Sequence, residues 1–406
     1  MRAISRSASK TVLEASRSFP AIIVTGPRRA GKTTLLRQLF PGANHILLED
    51  PEIQARARSD PRGLLESDAA PVFLDEIQNV PDLLDYIRTR VGTGPSKPGQ
   101  WLFAASQEAP LMQGVTESMA GRAALLQLYP LSLAETGRVC LLHGGYPEVL
   151  ARPAGRQQWF RSSIQSYLER DVRAVTNVRN LATFRRFLAL LASRHGQILN
   201  KTDLAAPLGV SVPTIADWLH ILEVTCQIIL VPPYFENFGK RLSKSPKVYL
   251  ADSGLACHLL GIQTEAELDR SPFRGALFEG FVAAEIVKSQ VNQGRRKELY
   301  HFRDEQGLEV NFLTPSPEAG VWMVECKASH TVVPAMASRM ASLRRAIGDS
   351  ATVRMTVVHE PLKSPLPSRA LAPGAEALDL PAFVDELNIN SIRPTPEAAV
   401  RQRGPR

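Results

Sequence analysis

Long apolar runs are missing from this 406-residue sequence, and none approaches the roughly 20 residues a helix needs to span a bilayer. The opening segment, Met1 to Lys10, also lacks the apolar centre of a secretory signal. Both absences lead us to expect a cytoplasmic protein with no membrane partner. Cysteine is scarce: the four thiols, Cys140, Cys226, Cys257 and Cys326, stand far apart without paired spacing. That speaks against a zinc site or a disulfide framework and makes them buried or incidental thiols. Internal repeats are absent, and the main low-complexity stretch is the Pro/Ala-rich sequence after Pro361. A basic arm is lacking too. The net charge of +8 would suit a polyanion partner, yet arginine is spread along the whole chain, so a solvated basic surface accounts for the charge equally well.

What is present is the balance of a globular protein, with 44% hydrophobic and 22% charged residues. The length predicts about two to three domains. The Ser/Arg-rich opening resembles a transit peptide in composition, but Val12, Leu13 and Phe19 fit a short helix leading into the first strand, which is the reading we prefer.

Phe19 to Thr34 reads FPAIIVTGPRRAGKTT: a short buried strand (Ala21 to Thr25), a glycine-bearing loop, and a helix beginning near Lys32. This is GxxxxGK[ST] in the context it requires. Gly26 and Gly31 let the loop Gly26, Pro27, Arg28, Arg29, Ala30 and Gly31 curl so that backbone N–H groups face phosphate oxygens, and the helix N-terminus adds partial positive charge. Lys32 is expected to reach the β- and γ-phosphates. Thr33 is expected to offer its hydroxyl to Mg²⁺, and Thr34 to cap the helix or contact the α-phosphate. ATP and Mg²⁺ are the cofactors this pattern predicts.

Ala70 to Gln78 reads APVFLDEIQ, an apolar run that predicts a buried parallel strand delivering Asp75 and Glu76 to its carboxyl end. Asp75 is expected to hold Mg²⁺ and Glu76 to orient or deprotonate the attacking water, which favours hydrolysis over simple binding. The next strand, Gln100 to Ala105, ends in Ser106 and Gln107, a pair that either senses the γ-phosphate or closes a turn. Arg122 follows a glycine just before an apolar strand. It is a candidate arginine finger, in cis or from a neighbouring subunit, or else a surface arginine.

With HILLEDP (His45 to Pro51), SMAGR (Ser118 to Arg122), LYPLSLAE (Leu128 to Glu135), GGYPEVL (Gly144 to Leu150) and YLERDV (Tyr167 to Val172), the chain resembles the bacterial and archaeal AAA+-type ATPases with a C-terminal domain of unknown function. The resemblance continues through NKTDLAAPLGVS, KSPKVYLADSGLACHLLG, LFEGFVAAEI and LYHFRDEQGLEVNFL. It implies an α/β protein with a RecA-like P-loop ATPase core at 1–140, a helical linker and winged-helix region at 141–265, a restriction-endonuclease-like α/β module at 266–362, and a Pro/Ala-rich tail at 363–406. It raises Arg122 as a finger or sensor, since SMAGR matches the family's Ser-Leu-Ala-Gly-Arg. In the loop, Arg28 matches too, while Arg29 and Ala30 replace the usual Gln-Val.

The helical spacing of Leu181 to Ala192, then Lys201 to Leu208, Ser211 to Glu223 and a strand from Gln227 to Val231, gives the winged-helix order. Ser211, Thr214 and Asp217 mark the face that would approach DNA, although Asp217 repels phosphate. Lys240, Arg241, Lys244 and Lys247 are the candidate phosphate contacts in the wing. In the last module we expect a helix from Leu277 to Val287 carrying Glu279, a hairpin (Glu298 to Phe302, Leu308 to Leu313) and a strand ending in Glu325-Cys326-Lys327. The resemblance implies two carboxylates and a lysine for Mg²⁺-dependent phosphodiester attack. Glu325 and Lys327 are present, but Asn311 stands where the family has aspartate, and a hard dication bound by few carboxylates loses affinity. Glu309 and Glu279 are the candidates to supply the missing charge. The expectation is an ATP-hydrolysing switch for a DNA- or protein-binding second half. An ATP-licensed nuclease and a regulatory module with negligible turnover are the alternatives, and homo-oligomerisation is left open.

Overall fold

The computed structural model describes residues 4–65, 71–93, 97–105, 121–167, 181–234, 245–316, 319–348, 352–362 and 368–389. The chain forms two compact units: Met1–Val231 with Ser245–Lys297, and Pro232–Lys244 with Glu298–Arg406. Among the described residues no helix is long and apolar enough to cross a membrane.

The first unit is built on five parallel strands, β1 (Ala21–Thr25), β2 (Asn44–Leu47), β3 (Val72–Asp75), β4 (Trp101–Ala105) and β5 (Ala123–Gln127), in the order β2-β3-β4-β1-β5. Side chains alternate between the two faces of a strand. Ile23, Leu74 and Phe103 therefore join Leu83 and Ile87 of helix Asp82–Thr93 on one face. Ile22, Val24, Phe73 and Leu102 meet Val12 of helix Ser9–Ser18 and Leu35 and Leu36 of helix Lys32–Leu39 on the other. Helices cover both faces, which is why β1, β3 and β4 read as continuous apolar runs instead of alternating patterns. The opening segment is a helix in this core, as Val12, Leu13 and Phe19 suggested. The chain leaves β1 for β2 on one flank and leaves β4 for β5 on the other. Adjacent strands thus diverge at their carboxyl ends, the place where open α/β sheets bind ligands.

Helices Leu181–Ser193, Lys201–Ala205 and Val212–Val224 follow, then an antiparallel pair, β6 (Ile228–Val231) and β7 (Lys247–Leu250). They close around Phe184, Phe187 and Trp218, whose rings lie 5.1 to 5.5 Å apart. Ser211 caps its helix: its Oγ accepts from the Thr214 N–H at 3.2 Å, with Pro213 in the first turn. Lys247 differs from expectation. It is 2% exposed in β7 and its Nζ donates to Glu279 at 2.8 Å, so it is not free to meet a phosphate. Lys240, Arg241 and Lys244 lie outside the described residues.

The long helix Arg274–Asn292 packs within the first unit. Its charged side chains explain why. Glu285 accepts from the Leu133 N–H at 2.9 Å, and Lys288 donates to the Leu131 carbonyl at 3.1 Å and to Glu285 at 2.9 Å. Both are buried, and buried charges persist where they are paired and hydrogen-bonded.

The second unit is a mixed six-stranded sheet, β8 (Tyr300–Arg303), β9 (Glu309–Ser316), β10 (Gly320–Lys327), β11 (Val353–His359), β12 (Ala370–Ala372) and β13 (Ala375–Asp379). The order is β12-β13-β11-β10-β9-β8, with β10, β11 and β13 parallel. Met323, Met340, Leu343 and Val357 form its core with helix Ser338–Ile347. The stretch from 363 that composition marks as a tail contains β12, β13 and helix Leu380–Ile389, whose Phe383 packs on Trp322 with centroids 5.3 Å apart. Proline and alanine content hid the short apolar strand with Ala375, Ala377 and Leu378, which are buried.

Candidate active site

The loop after β1 takes the shape its glycines permit. Gly26 has φ 139°, and a Cβ there would lie 2.1 Å from the Leu128 carbonyl oxygen; Gly31 has φ 98° and opens the helix. Arg29, at φ 62°, adopts the left-handed conformation without being glycine. Lys32 is 4% exposed, and its Nζ donates to the carbonyls of Gly26 and Pro27, each at 2.9 Å. Burial pulls its ammonium below the usual lysine range, opposed by the nearby Glu76 and Asp75.

β3 brings the acidic pair to the same end of the sheet. Asp75 accepts from Thr33 Oγ1 at 3.1 Å through Oδ1, and Oδ2 lies 3.2 Å from His45 Nε2. His45 is held there by stacking on Phe73, centroids 4.6 Å apart, its register partner across β2 and β3. Burial pushes the Asp75 carboxyl up, while the hydrogen bonds from Thr33 and His45 pull it down. Glu76 has φ 56°, a conformation that costs a non-glycine residue of order 1 kcal/mol or more. It ends the strand and turns the Glu76 carboxylate into the cavity, where the Gln78 side-chain amide donates to it.

That cavity, about 960 Å³, is lined by the loop from Arg28 to Thr34, Glu49 and Glu76, with Tyr146, Trp159 and Phe160 among its apolar walls. The three rings touch one another, Tyr146 and Trp159 at 4.8 Å and Trp159 and Phe160 at 5.1 Å. Two loop arginines reach acidic residues at its rim: Arg28 to Glu49 at 3.4 Å and Arg29 to Glu148 at 3.6 Å. Arg6 also lines the cavity and binds the loop. Its guanidinium donates to the Ala30 carbonyl at 2.7 Å, the Tyr129 carbonyl at 2.8 Å and Glu135 at 2.9 Å.

A nucleotide with Mg²⁺ fits this arrangement on its own terms. The loop from Arg28 to Thr34 lines the cavity, Lys32 is held among loop carbonyls that a phosphate could replace, and Thr33 and Asp75 are hard oxygen donors 3.1 Å apart. Thr34 also lines the cavity. Gln107 lies outside the described residues. Arg122 is described and exposed, but at the opposite end of the sheet: its carbonyl accepts from the Ala21 N–H at 3.3 Å, at the start of β1. The length of β1, five residues at about 3.3 Å each, separates it from the loop of its own chain.

In the second unit Asn311, Glu325 and Lys327 come together. Asn311 Oδ1 accepts from the Cys326 N–H at 2.8 Å, Glu325 accepts from the Asn311 N–H at 3.4 Å, and Lys327 Nζ donates to Glu325 at 2.7 Å. The Asn311 oxygen is thereby engaged by backbone, and Glu325 by lysine. Glu309 instead pairs with Arg303 at 3.7 Å. Glu279 sits in the first unit, bound by Lys247 and by Tyr249 Oη at 2.5 Å. Neither Glu309 nor Glu279 is spare charge for this cluster.

Sequence reasoning gave no role to Arg6, His45, Gln78 or the aromatic wall. His45 lay within HILLEDP, so that segment was the available signal. Arg6 sits in an opening that carries no motif.

Three families match the chain: an AAA domain over residues 18–137, a domain of unknown function (DUF8612) over 136–266, and another (DUF4143) over 274–370. Uncharacterised proteins of Mycobacterium tuberculosis and Mycobacterium bovis are each 30% identical over 390 residues, covering 94% of this chain and 86% of theirs. A solved Walker-type ATPase of Pyrococcus abyssi is similar at 15% identity and a TM-score of 0.39, over 62% of this chain and 94% of that one.

Proposed function

The chain belongs to the AAA-type P-loop ATPases that carry a C-terminal domain of unknown function, and on that footing we propose that it hydrolyses ATP with Mg²⁺ and uses the nucleotide as a switch for its C-terminal region. One observation carries this reading: Lys32, Thr33 and Glu76 line one cavity, and Thr33 is bonded to Asp75 at 3.1 Å. Lys32 neutralises the β- and γ-phosphates once it leaves the Gly26 and Pro27 carbonyls. Thr33 and Asp75 would hold Mg²⁺, which supplies charge neutralisation between the phosphates. Glu76 accepts the proton of the attacking water, and Gln78 holds its carboxylate in place. Tyr146, Trp159 and Phe160 offer the base an apolar wall.

Arg122 is exposed at the amino end of β5, away from the loop of its own chain, which supports the reading of a finger that acts in trans within a homo-oligomer. The partner of the switch is DNA or protein. Helix Val212–Val224 contains no lysine or arginine and Lys247 is buried, so protein is the better fit for that face. Cutting by the second unit is disfavoured because Asn311 leaves Glu325 as the one carboxylate of its cluster. Phosphate release measured with and without single- and double-stranded DNA, across a salt series, tests the partner. Stimulation that weakens steeply with salt assigns DNA, and an unchanged rate excludes DNA as the trigger.

A further inference from the structure

Outside the nucleotide cavity, Cys140, His143 and Glu265 bring a thiol, an imidazole nitrogen and a carboxylate oxygen within 4.8 Å of one another, and they are the one such group among the described residues. The fold builds this approach. The Gly144 N–H donates to the Cys140 carbonyl at 2.9 Å and the two residues form an antiparallel bridge, closing a turn that sets Cys140 Sγ 3.1 Å from His143 Nδ1. Gly144, at φ 67°, is required there, since a Cβ would lie 2.1 Å from Asp252 Oδ1. Arg156 then fastens both sides: it donates to the Leu142 carbonyl at 2.5 Å and to the Gln263 carbonyl at 2.7 Å, two residues before Glu265.

We propose that Cys140, His143 and Glu265 form a Zn²⁺ site. Tetrahedral zinc with bonds of about 2.0–2.3 Å places its ligand atoms ~3.5 Å apart, so the cluster needs only a small contraction. Thiolate, imidazole and carboxylate suit this borderline-soft dication better than Mg²⁺, which takes oxygen ligands. Two anionic ligands balance its charge, while the Arg156 guanidinium is engaged by the Leu142 and Gln263 carbonyls. A fourth position stays open to water on the exposed Glu265 side.

The obvious rival is an activated cysteine, in which histidine withdraws the thiol proton. Against it, the Glu265 carboxylate completes a three-donor set with the thiol and the imidazole, which a Cys–His pair does not need and a borderline-soft cation does. Cys257 stands outside the group, its Sγ donating to the Leu141 carbonyl at 3.4 Å. Bound zinc would tie helix Glu265–Arg270 to the turn that leads into Tyr146 and Glu148 at the nucleotide cavity.

The test is a Co²⁺ titration of the full chain, with Zn²⁺ competition, read by the thiolate-to-cobalt charge-transfer band, which the sulfur-free Thr33 and Asp75 site does not give. A band that Zn²⁺ erases, that persists in Cys326→Ser and that is lost in Cys140→Ser is expected. No band in the wild type, or a band that survives Cys140→Ser, overturns the proposal. Should Cys140→Ser fail to fold, Glu265→Gln, at an exposed position, is expected to weaken Zn²⁺ binding at least about tenfold, and unchanged affinity overturns it.

Discussion

Thr33 Oγ1 donates to Asp75 Oδ1 across 3.1 Å and so joins the end of the phosphate loop to the end of β3, segments 42 residues apart. In the proposed function both side chains would hold Mg²⁺ beside the phosphates. Asp75→Asn keeps an oxygen for Thr33 but removes the charge. The Mg²⁺ concentration needed for half-maximal nucleotide turnover is expected to rise at least about tenfold, and a Mg²⁺ titration of phosphate release reads it.

Arg6 is a structural tie that the loop depends on. It is 6% exposed and links Ala30 of the loop to Tyr129 and Glu135. Arg6→Ala leaves Glu135 buried without its cation and is expected to cost about 3 kcal/mol in urea denaturation. Arg6→Lys should recover little of this, because an ammonium cannot reproduce a planar fork that reaches three oxygens in fixed directions.

How much of this could be read from the chain alone depends on whether partners are local. β1, the loop and the helix from Lys32 were legible because glycine, lysine and threonine at that spacing have few other uses, and Asp75-Glu76 was legible because a buried run precedes it. The capped helix after Ser211 was equally local. Arg6 was not legible, since its worth comes from Ala30 and Glu135, which only the fold brings near. Cys140 and His143 are close in sequence, but Glu265 joins them through Arg156 and the Gly144 turn. Arg122 was ambiguous for the same reason: sequence gives its neighbours, while the parallel register of β1 and β5 gives its distance from the loop.

His195 makes the first unit sensitive to acid. It is buried beneath Gly280, where a Cβ would lie 2.1 Å from its Nε2, and its Nδ1 accepts from the Leu250 N–H at 3.0 Å. Burial lowers its pKa from 6.5 to about 4. Its contribution is therefore whole above pH 6.5 and is lost as pH falls from 6.5 towards 4, where the unfolded chain binds a proton that the folded one refuses. The loss amounts to about 3 kcal/mol. Urea denaturation at stepped pH should show this slope in the wild type and not in His195→Asn, which retains an acceptor for Leu250.

The second unit offers a test by repair. Asn311→Asp preserves an oxygen for the Cys326 N–H and adds a carboxylate beside Glu325. With Mg²⁺ or Mn²⁺, the wild type is expected to leave plasmid DNA uncut. Cleavage by the wild type that disappears in Lys327→Ala would establish a nuclease and contradict the scaffold reading.

The most direct measurement of the central claim is steady-state phosphate release paired with equilibrium ATP binding for the wild type, Lys32→Ala and Glu76→Gln. Lys32→Ala is expected not to bind ATP. Glu76→Gln is expected to retain ATP while its turnover falls by about 10²–10⁴. Appreciable hydrolysis by Glu76→Gln would remove Glu76 from its role, and a wild type that binds ATP without turnover would contradict the hydrolytic switch.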